Sequence, residues 1–234
     1  MLLRLFVVAD LAAQPAVLSV IGVVAILSML VGNVLALRSD NVKRILAYSS
    51  TAQIGYLLVA LVAIDAAGPS LSVESCTYFL LAYLVTTLGA FGVVTVMSIA
   101  DADNDADDIS QYEGLLWRRP ALASFMAAML LSLAGIPLTI GFIGKFYLFV
   151  AGVGASLWVL VGVLIVGSGI GLFYYLRIIF AMTRRSELPG VAIAIPPAGG
   201  WVLASLVFVL LGLGVYPTPV VDLIIQMVGS FIEI

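Results

Sequence analysis

Long apolar stretches separated by short polar or charged breaks dominate the chain. A membrane-spanning helix needs about 20 mostly apolar residues. Six stretches approach or exceed that length, and each is bounded by charges or by Pro and Gly clusters: 16–37, 44–64, 75–99, 120–150, 157–183 and 199–215. The pattern therefore predicts an all-α integral membrane protein with about six transmembrane helices.

Both ends of the chain differ from this pattern. Residues 1–9 are apolar but too short to span, and they fit either an interfacial stub or the end of a helix that begins upstream. After the transmembrane module, residues 10–219, the tail 220–234 places its polar residues on one helical face. These residues are Asp222, Gln226, Ser230 and Glu233. We expect the tail to form an amphipathic helix at the membrane interface.

Composition agrees with a lipid environment and narrows the chemistry. Charged residues are 10% of the chain, hydrophobic residues are 63%, and the mean hydropathy is +1.23. A soluble domain has roughly 25% charged residues. His is absent and Cys76 is the one cysteine, which argues against zinc, iron–sulfur and His-ligated haem sites in this sequence. The sequence offers no basic surface that would predict nucleic-acid binding. The acidic run 101–108 lacks the Gly and the closing Glu of a calcium loop, so we interpret it as a solvated loop.

The positive charges predict the orientation. Threading the six segments alternately places the loops 38–44, 100–119 and 184–198 on one side. These loops hold seven of the ten Lys and Arg residues, and Arg177, near the end of its helix, brings that side to eight. Such a bias marks the cytoplasmic face. We therefore expect the C-terminus on the opposite, periplasmic or extracellular side of a bacterial plasma membrane.

The segment 120–150 contains an internal break. Its 31 residues would extend about 46 Å as a straight helix, against a hydrocarbon core of about 30 Å. Gly135 and Pro137 lie within it, and Pro137 has no N–H for the carbonyl of Leu133. Broken membrane helices often line ion pathways. The alternative is a simple proline kink.

Lys145 follows this break and is the one charged side chain well inside any of the six segments. A charge at the centre of a membrane helix costs about 2.5–3.5 kcal/mol, so its presence favours a function. A desolvated lysine can exchange a proton near neutral pH. Alternatively, its long side chain extends along the helix to the interface.

The segment 44–64 carries a polar stripe of Ser49, Gln53 and Tyr56 on one helical face. The stripe fits an ordered water chain or direct hydrogen bonds between helices. Three glycines in the segment 157–183, at 167, 169 and 171, favour close helix packing.

Three stretches carry a family resemblance: 41–59 (NVKRILAYSSTAQIGYLLV), 131–149 (LSLAGIPLTIGFIGKFYLF) and 167–178 (GSGIGLFYYLRI). They resemble the subunit N family of bacterial NADH-quinone oxidoreductase, the respiratory complex I. The first two stretches are shared with the wider antiporter-like superfamily, which includes subunits of cation/proton antiporters.

The resemblance implies a fold of about fourteen helices in two inverted repeats, of which this chain covers the second. Lys145 matches a lysine on the proton path of that family, and Gln53 stands where relatives often carry His. Proton translocation would be coupled to NADH oxidation and quinone reduction in partner subunits, which hold the FMN, the iron–sulfur clusters and the quinone. The partners would be other membrane subunits of complex I and the lipid bilayer. A subunit of a monovalent cation/proton antiporter and a passive scaffold are the alternative hypotheses.

Overall fold

The computed structural model describes residues 14–100, 107–185 and 197–232. These residues form helices, turns and connections, and none of them belongs to a strand. The predictions for residues 1–9 and for most of the acidic run lie outside the described residues. The helices are α1 (Pro15–Arg38), α2 (Val42–Val62), α3 (Ile64–Ala67), α4 (Pro69–Ala100), α5 (Leu115–Arg118), α6 (Pro120–Ala134), α7 (Ile140–Gly154), α8 (Trp158–Thr183), α9 (Pro197–Val215) and α10 (Thr218–Ile232). A 3₁₀ helix, Ile109–Tyr112, precedes α5.

The predicted class, an all-α multi-pass membrane protein, is confirmed. By length and composition, α1, α2, α4 and α8 can each cross a membrane, and the pair α9 and α10, bent by 84°, raises the number to five. The helices α6 and α7 have 15 residues each and are shorter than a full span. The six expected segments are thus four long helices, one broken pair and one bent pair.

Two predicted boundaries differ from the structure by several residues. The fourth segment ends at Gly154 instead of 150, and the third begins at Pro69 instead of 75. The polar residues of 69–74 suggested a loop, but proline is favoured at the first position of a helix. Only Gly68 lies between α3 and α4, and its φ of +91° is a backbone conformation that glycine adopts readily.

The tail forms the expected helix, α10, two residues earlier than predicted. Asp222 and Gln226 are exposed, whereas Ile224 is buried against the hydrophobic core. The side chains of Ser230 and Glu233 lie outside the described part of the chain. The sharp bend after α9 turns α10 away from the direction of α9, and an interfacial position for α10 stays a prediction.

Glycine brings α1 and α2 into close contact. A Cβ atom at Gly32 would lie 2.7 Å from the backbone nitrogen of Ala52, and one at Gly55 would lie 2.9 Å from the carbonyl oxygen of Ala25. Neither backbone atom can move aside as a flexible side chain can. The two helices therefore pack backbone to backbone, which small residues permit in membranes.

The described parts of the three loops predicted to share a side lie together. Lys43 bonds Asp107 at 2.7 Å, Arg177 bonds Asp40 at 3.2 Å, and Arg184 lies 3.9 Å from Glu113. The hydrogen bond from Lys43 holds the pKa of Asp107 below its usual value. These contacts tie the segments 39–43, 107–113 and 177–184 to one end of the helix bundle.

Substituting Gly32 tests the α1–α2 contact. We expect Gly32→Ala to lower the stability by about 1–3 kcal/mol, because a methyl group has no room there. The measurement is thermal unfolding in detergent. Gly162→Ala is the matched control, since a Cβ at Gly162 in α8 meets no atom within 4 Å. Equal melting temperatures for the two variants would contradict the packing described here.

Candidate proton-transfer site

The site is built around the break between α6 and α7. Gly135 ends α6 in the left-handed region with a φ of +87°. Its N–H donates to the carbonyls of Leu131 and Ser132, and the N–H of Ile136 donates to Leu131. This pattern is a Schellman turn, which glycine favours. None of these backbone hydrogen bonds uses the last two carbonyls of α6, those of Leu133 and Ala134.

Pro137 accounts for one of these carbonyls. In a continuous helix, the N–H of residue 137 would donate to Leu133, and proline has none. The chain then runs through Leu138, at a φ of +75°, before α7 begins at Ile140. The break is therefore a five-residue connection, 135–139, and not a kink within one helix.

Lys145 satisfies both carbonyls. Its Nζ donates to Leu133 O at 2.8 Å and to Ala134 O at 3.0 Å, and a third bond of 3.1 Å goes to Ser168 Oγ on α8. A charged amine has three donors, so the three acceptors match an ammonium group. The carbonyls also form the negative end of the α6 dipole, which favours a cation. The side chain is 8% exposed and turns to the break instead of extending to the end of α7.

Two residues of α2 complete the surroundings of the amine. Gln53 donates from Nε2 to the same Leu133 carbonyl at 3.3 Å, and its Oε1 has no hydrogen-bond partner among the described residues. The ring centroid of Tyr56 lies 5.3 Å from Nζ, within the range of a cation–π interaction.

A second polar cluster adjoins the first through Tyr56. Asn33 on α1 donates to the Tyr56 hydroxyl at 3.1 Å, and its Oδ1 accepts from the Tyr174 hydroxyl at 3.1 Å. Asn33 is 1% exposed and also donates to the Met29 carbonyl. Gly167 lies against this cluster, because a Cβ there would come within 2.8 Å of the Tyr56 hydroxyl oxygen. Three helices, α1, α2 and α8, are thus joined by side-chain hydrogen bonds.

Two spaces of different size adjoin Lys145. One is a small cavity whose free volume for water is about 10 Å³, room for about one molecule. It is lined in part by polar residues: Gln53, Tyr83, Thr86 and Ser132. The other is an open, mainly apolar groove between α6, α7 and α8, lined by Gly135, Phe146 and Ser168 among others. Lys145 lines both spaces.

Known proteins share this arrangement of helices. Residues 1–171 match the family described as "NADH:quinone oxidoreductase/Mrp antiporter, TM". NADH-quinone oxidoreductase subunit N of Methylococcus capsulatus is 45% identical over 222 residues, which are 95% of this chain and 44% of that protein.

The chain belongs to the NADH:quinone oxidoreductase/Mrp antiporter family.

Solved structures agree with this family assignment. A chain of respiratory complex I from Thermus thermophilus with bound aureothin superposes with a TM-score of 0.76 at 29% identity, covering 87% of this chain and 45% of that one. A chain of the Mrp complex from Dietzia sp. DQ12-45-1b also gives 0.76, at 22% identity over 89% and 46% of the two chains, and shows the fold alone. The chain spans about half the length of the relatives it matches.

The structure brings together most of the predicted site residues of this family member. Lys145, Gln53 and the Gly135–Pro137 break meet at the Leu133 carbonyl, and Tyr56 lies beside them. Ser49 is buried one turn away and bonds the Leu46 carbonyl of its own helix, so it does not reach the amine. The packing interpretation fits Gly167 but not Gly169, which lines the open groove with no atom within 4 Å of a Cβ.

Three residues of the site were not among the predicted site residues. The sequence marks Ser168 only as one hydrogen-bonding position in its apolar segment, and it does not single out Tyr174. Only the fold shows which side chains these two residues reach. Asn33 had a usable signal, since it is the one amide inside the first apolar stretch. A buried amide in a membrane helix marks a hydrogen-bonded contact between helices.

Gly135 tests the geometry of the break. We expect Gly135→Ala to lower stability by about 1–2 kcal/mol, because its backbone is left-handed. A Cβ would also lie 3.0 Å from Lys145 Cδ. Gly135→Asn should lose less, since Asn tolerates this conformation better. Thermal unfolding in detergent is the measurement, and Gly169→Ala in the same groove is the control. A Gly135→Ala variant as stable as this control would disprove the assignment.

Proposed function

We propose that this chain is part of a proton-translocating membrane subunit of NADH-quinone oxidoreductase, and that Lys145 carries the proton. The observation that carries the proposal is the amine itself: it is buried, it bonds the free carbonyls of a broken helix, and it borders both a small cavity and an open groove. The identity to subunit N of Methylococcus capsulatus supports the choice of enzyme.

A lysine in this position suits reversible proton binding. Burial disfavours the charged form, whereas the two carbonyls at the end of α6 favour it. The two opposing effects allow a modest change in the surroundings to shift the balance. Arginine lacks this property because it stays charged in proteins. A rearrangement at the break would therefore be enough to drive release of the proton, and its reversal would allow reloading.

Gln53, Tyr56 and Ser49 would order water on the cavity side. The unpartnered Oε1 of Gln53 supports this role, since buried polar atoms without a protein partner commonly bind water. Tyr56 supplies its ring face to the amine while Asn33 holds its hydroxyl. Ser49 extends the polar face of α2 by one turn towards the loop 39–41.

The redox chemistry would belong to partner subunits. They would hold NADH, FMN, the iron–sulfur clusters and the quinone, and this chain would hold no cofactor. Its partners would be other membrane subunits of complex I. It would lie in a bacterial plasma membrane, with the Lys43, Arg177 and Arg184 ion pairs at the cytoplasmic side and the C-terminus opposite.

The second candidate function is a subunit of a cation/proton antiporter. The family includes Mrp antiporters, and the Mrp complex shares the fold. The coupling reaction distinguishes the two candidates. NADH-dependent proton uptake into vesicles favours the oxidoreductase, whereas proton flux driven by a sodium or potassium gradient, without NADH, favours the antiporter.

Lys145→Ala tests the carrier role. We expect NADH-driven proton uptake by inverted vesicles to fall by about tenfold or more at equal amounts of assembled enzyme, because the proton-binding group is gone. Lys145→Arg should fall similarly, since arginine keeps the charge but does not release the proton.

The chain offers a matched control in Lys43, its other lysine, which bonds Asp107 in a loop. Lys43→Ala should pump at the parent rate. Normal pumping by assembled Lys145→Ala would refute the carrier role, and normal pumping by Lys145→Arg would show that the site needs only a fixed positive charge.

A further inference from the structure

The third partner of Lys145 differs in kind from the other two. Leu133 and Ala134 offer carbonyl oxygens, which only accept hydrogen bonds, whereas Ser168 offers a hydroxyl, which both accepts and donates. The contact also crosses from α7 to α8. Ser168 is therefore the one partner that can change its hydrogen-bonding role while Lys145 changes its charge.

The two protonation states of the amine need different partners. An ammonium group has three N–H donors and no lone pair, and three acceptors satisfy it. A neutral amine has two N–H donors and one lone pair. The two carbonyls can keep both N–H bonds, and the lone pair then needs a donor, because an unsatisfied buried polar atom costs about 1–3 kcal/mol.

Other nearby side-chain donors form no hydrogen bond with Nζ among the described residues. Gln53 Nε2 donates to Leu133 O, and the Tyr56 hydroxyl is held by Asn33 while its ring faces the amine. The Ser132 hydroxyl accepts from the Gly141 N–H. Ser168 alone among these groups bonds Nζ directly through an oxygen that carries a hydrogen.

The hydroxyl hydrogen also has an acceptor when the amine is charged. Ser168 Oγ lies 3.4 Å from the Ala134 carbonyl oxygen, so it can donate there while accepting from the ammonium. A rotation about the C–O bond would direct the same hydrogen to the neutral nitrogen. Neither state requires the backbone or the lysine side chain to move.

We infer that Ser168 is the switchable partner of Lys145: its hydroxyl accepts from the ammonium group and donates to the amine after the proton has left. Ser168 is then a positioning residue that lets a buried lysine exchange its proton on the groove side. The inference rests on the proposed proton exchange at Lys145.

Other ionisable groups around α7 do not pair with the amine. The Tyr56 ring on α2 lies 5.3 Å from Nζ and Tyr83 on α4 lines the small cavity with Lys145, while Tyr78 and Glu74 on α4 lie near Tyr147. Asp65 on α3 is exposed, and the described ion pairs do not include Lys145. The residues 199–215 of α9, which packs on α7, contain no ionisable side chain. Ser168 is thus the side-chain partner on which the balance of the two states depends.

The test is the pH profile of NADH-driven proton uptake in vesicles that contain the complete enzyme. Ser168→Ala removes a charge-assisted hydrogen bond from the ammonium and a weaker neutral one from the amine. The substitution therefore destabilises the charged form of Lys145 more than the neutral form. We expect the alkaline limb of the pH profile to move to lower pH by about one unit. The shape of the profile does not depend on the amount of enzyme, so reduced assembly would not hide the shift.

Ser168→Thr and Ser205→Ala are the matched variants. Threonine keeps the hydroxyl and should restore the parent profile, and Ser205 is exposed on α9 and bonds the Val202 carbonyl of its own helix. An unshifted profile for Ser168→Ala would overturn the inference, as would equal shifts for Ala and Thr. Lys145→Ala separates the two proposals. If that variant pumps normally, the carrier role of Lys145 itself fails. If Lys145→Ala loses pumping while Ser168→Ala behaves like the parent, the carrier role stands and only the inference about Ser168 fails.

Discussion

A backbone carbonyl inside a membrane must find a donor, because lipid offers none. The break between α6 and α7 exposes the carbonyls of Leu133 and Ala134 in the middle of the helix bundle, and Lys145 supplies the donors. The relation is mutual, since the carbonyls also supply the acceptors that a buried ammonium needs. The break and the lysine thus stabilise each other, and residues of this pair line both the small cavity and the groove.

The surrounding helices hold the pair in place through a few close contacts. Gly32 and Gly55 allow α1 to pack directly on α2, which positions Gln53 and Tyr56. Asn33 then joins α1 and α2 to α8 through Tyr174. A side chain at Gly141 would meet the Ser132 carbonyl, so glycine there lets α7 return close to the end of α6. These contacts depend on small residues and amides, since apolar surface drives little association within lipid.

The sequence predicted the centre of the site better than its periphery. Charge is so unfavourable in an apolar helix that Lys145 could be singled out from its position alone, and Pro137 marked the break by its missing N–H. The partners of the amine were harder to foresee. Ser168 is an ordinary helical serine until the fold places α8 beside the break, and Ser49, on the same predicted stripe as Gln53, turns to its own backbone. Periodicity gives the face of a helix, but not the neighbour on that face or the rotamer of the side chain.

In the proposed role of Lys145, the same geometry would let proton exchange leave the break intact. A neutral amine keeps two N–H groups, enough for the Leu133 and Ala134 carbonyls, so loss of the proton need not uncover either carbonyl. What changes is the charge beside the end of α6 and the one bond to α8. The electrostatic effect of the proton is therefore concentrated on two helices that meet at the open groove, while the small cavity beside Gln53 keeps its walls. A site built in this way can respond to its charge without unfolding, which the proposed translocation cycle would require at every turnover.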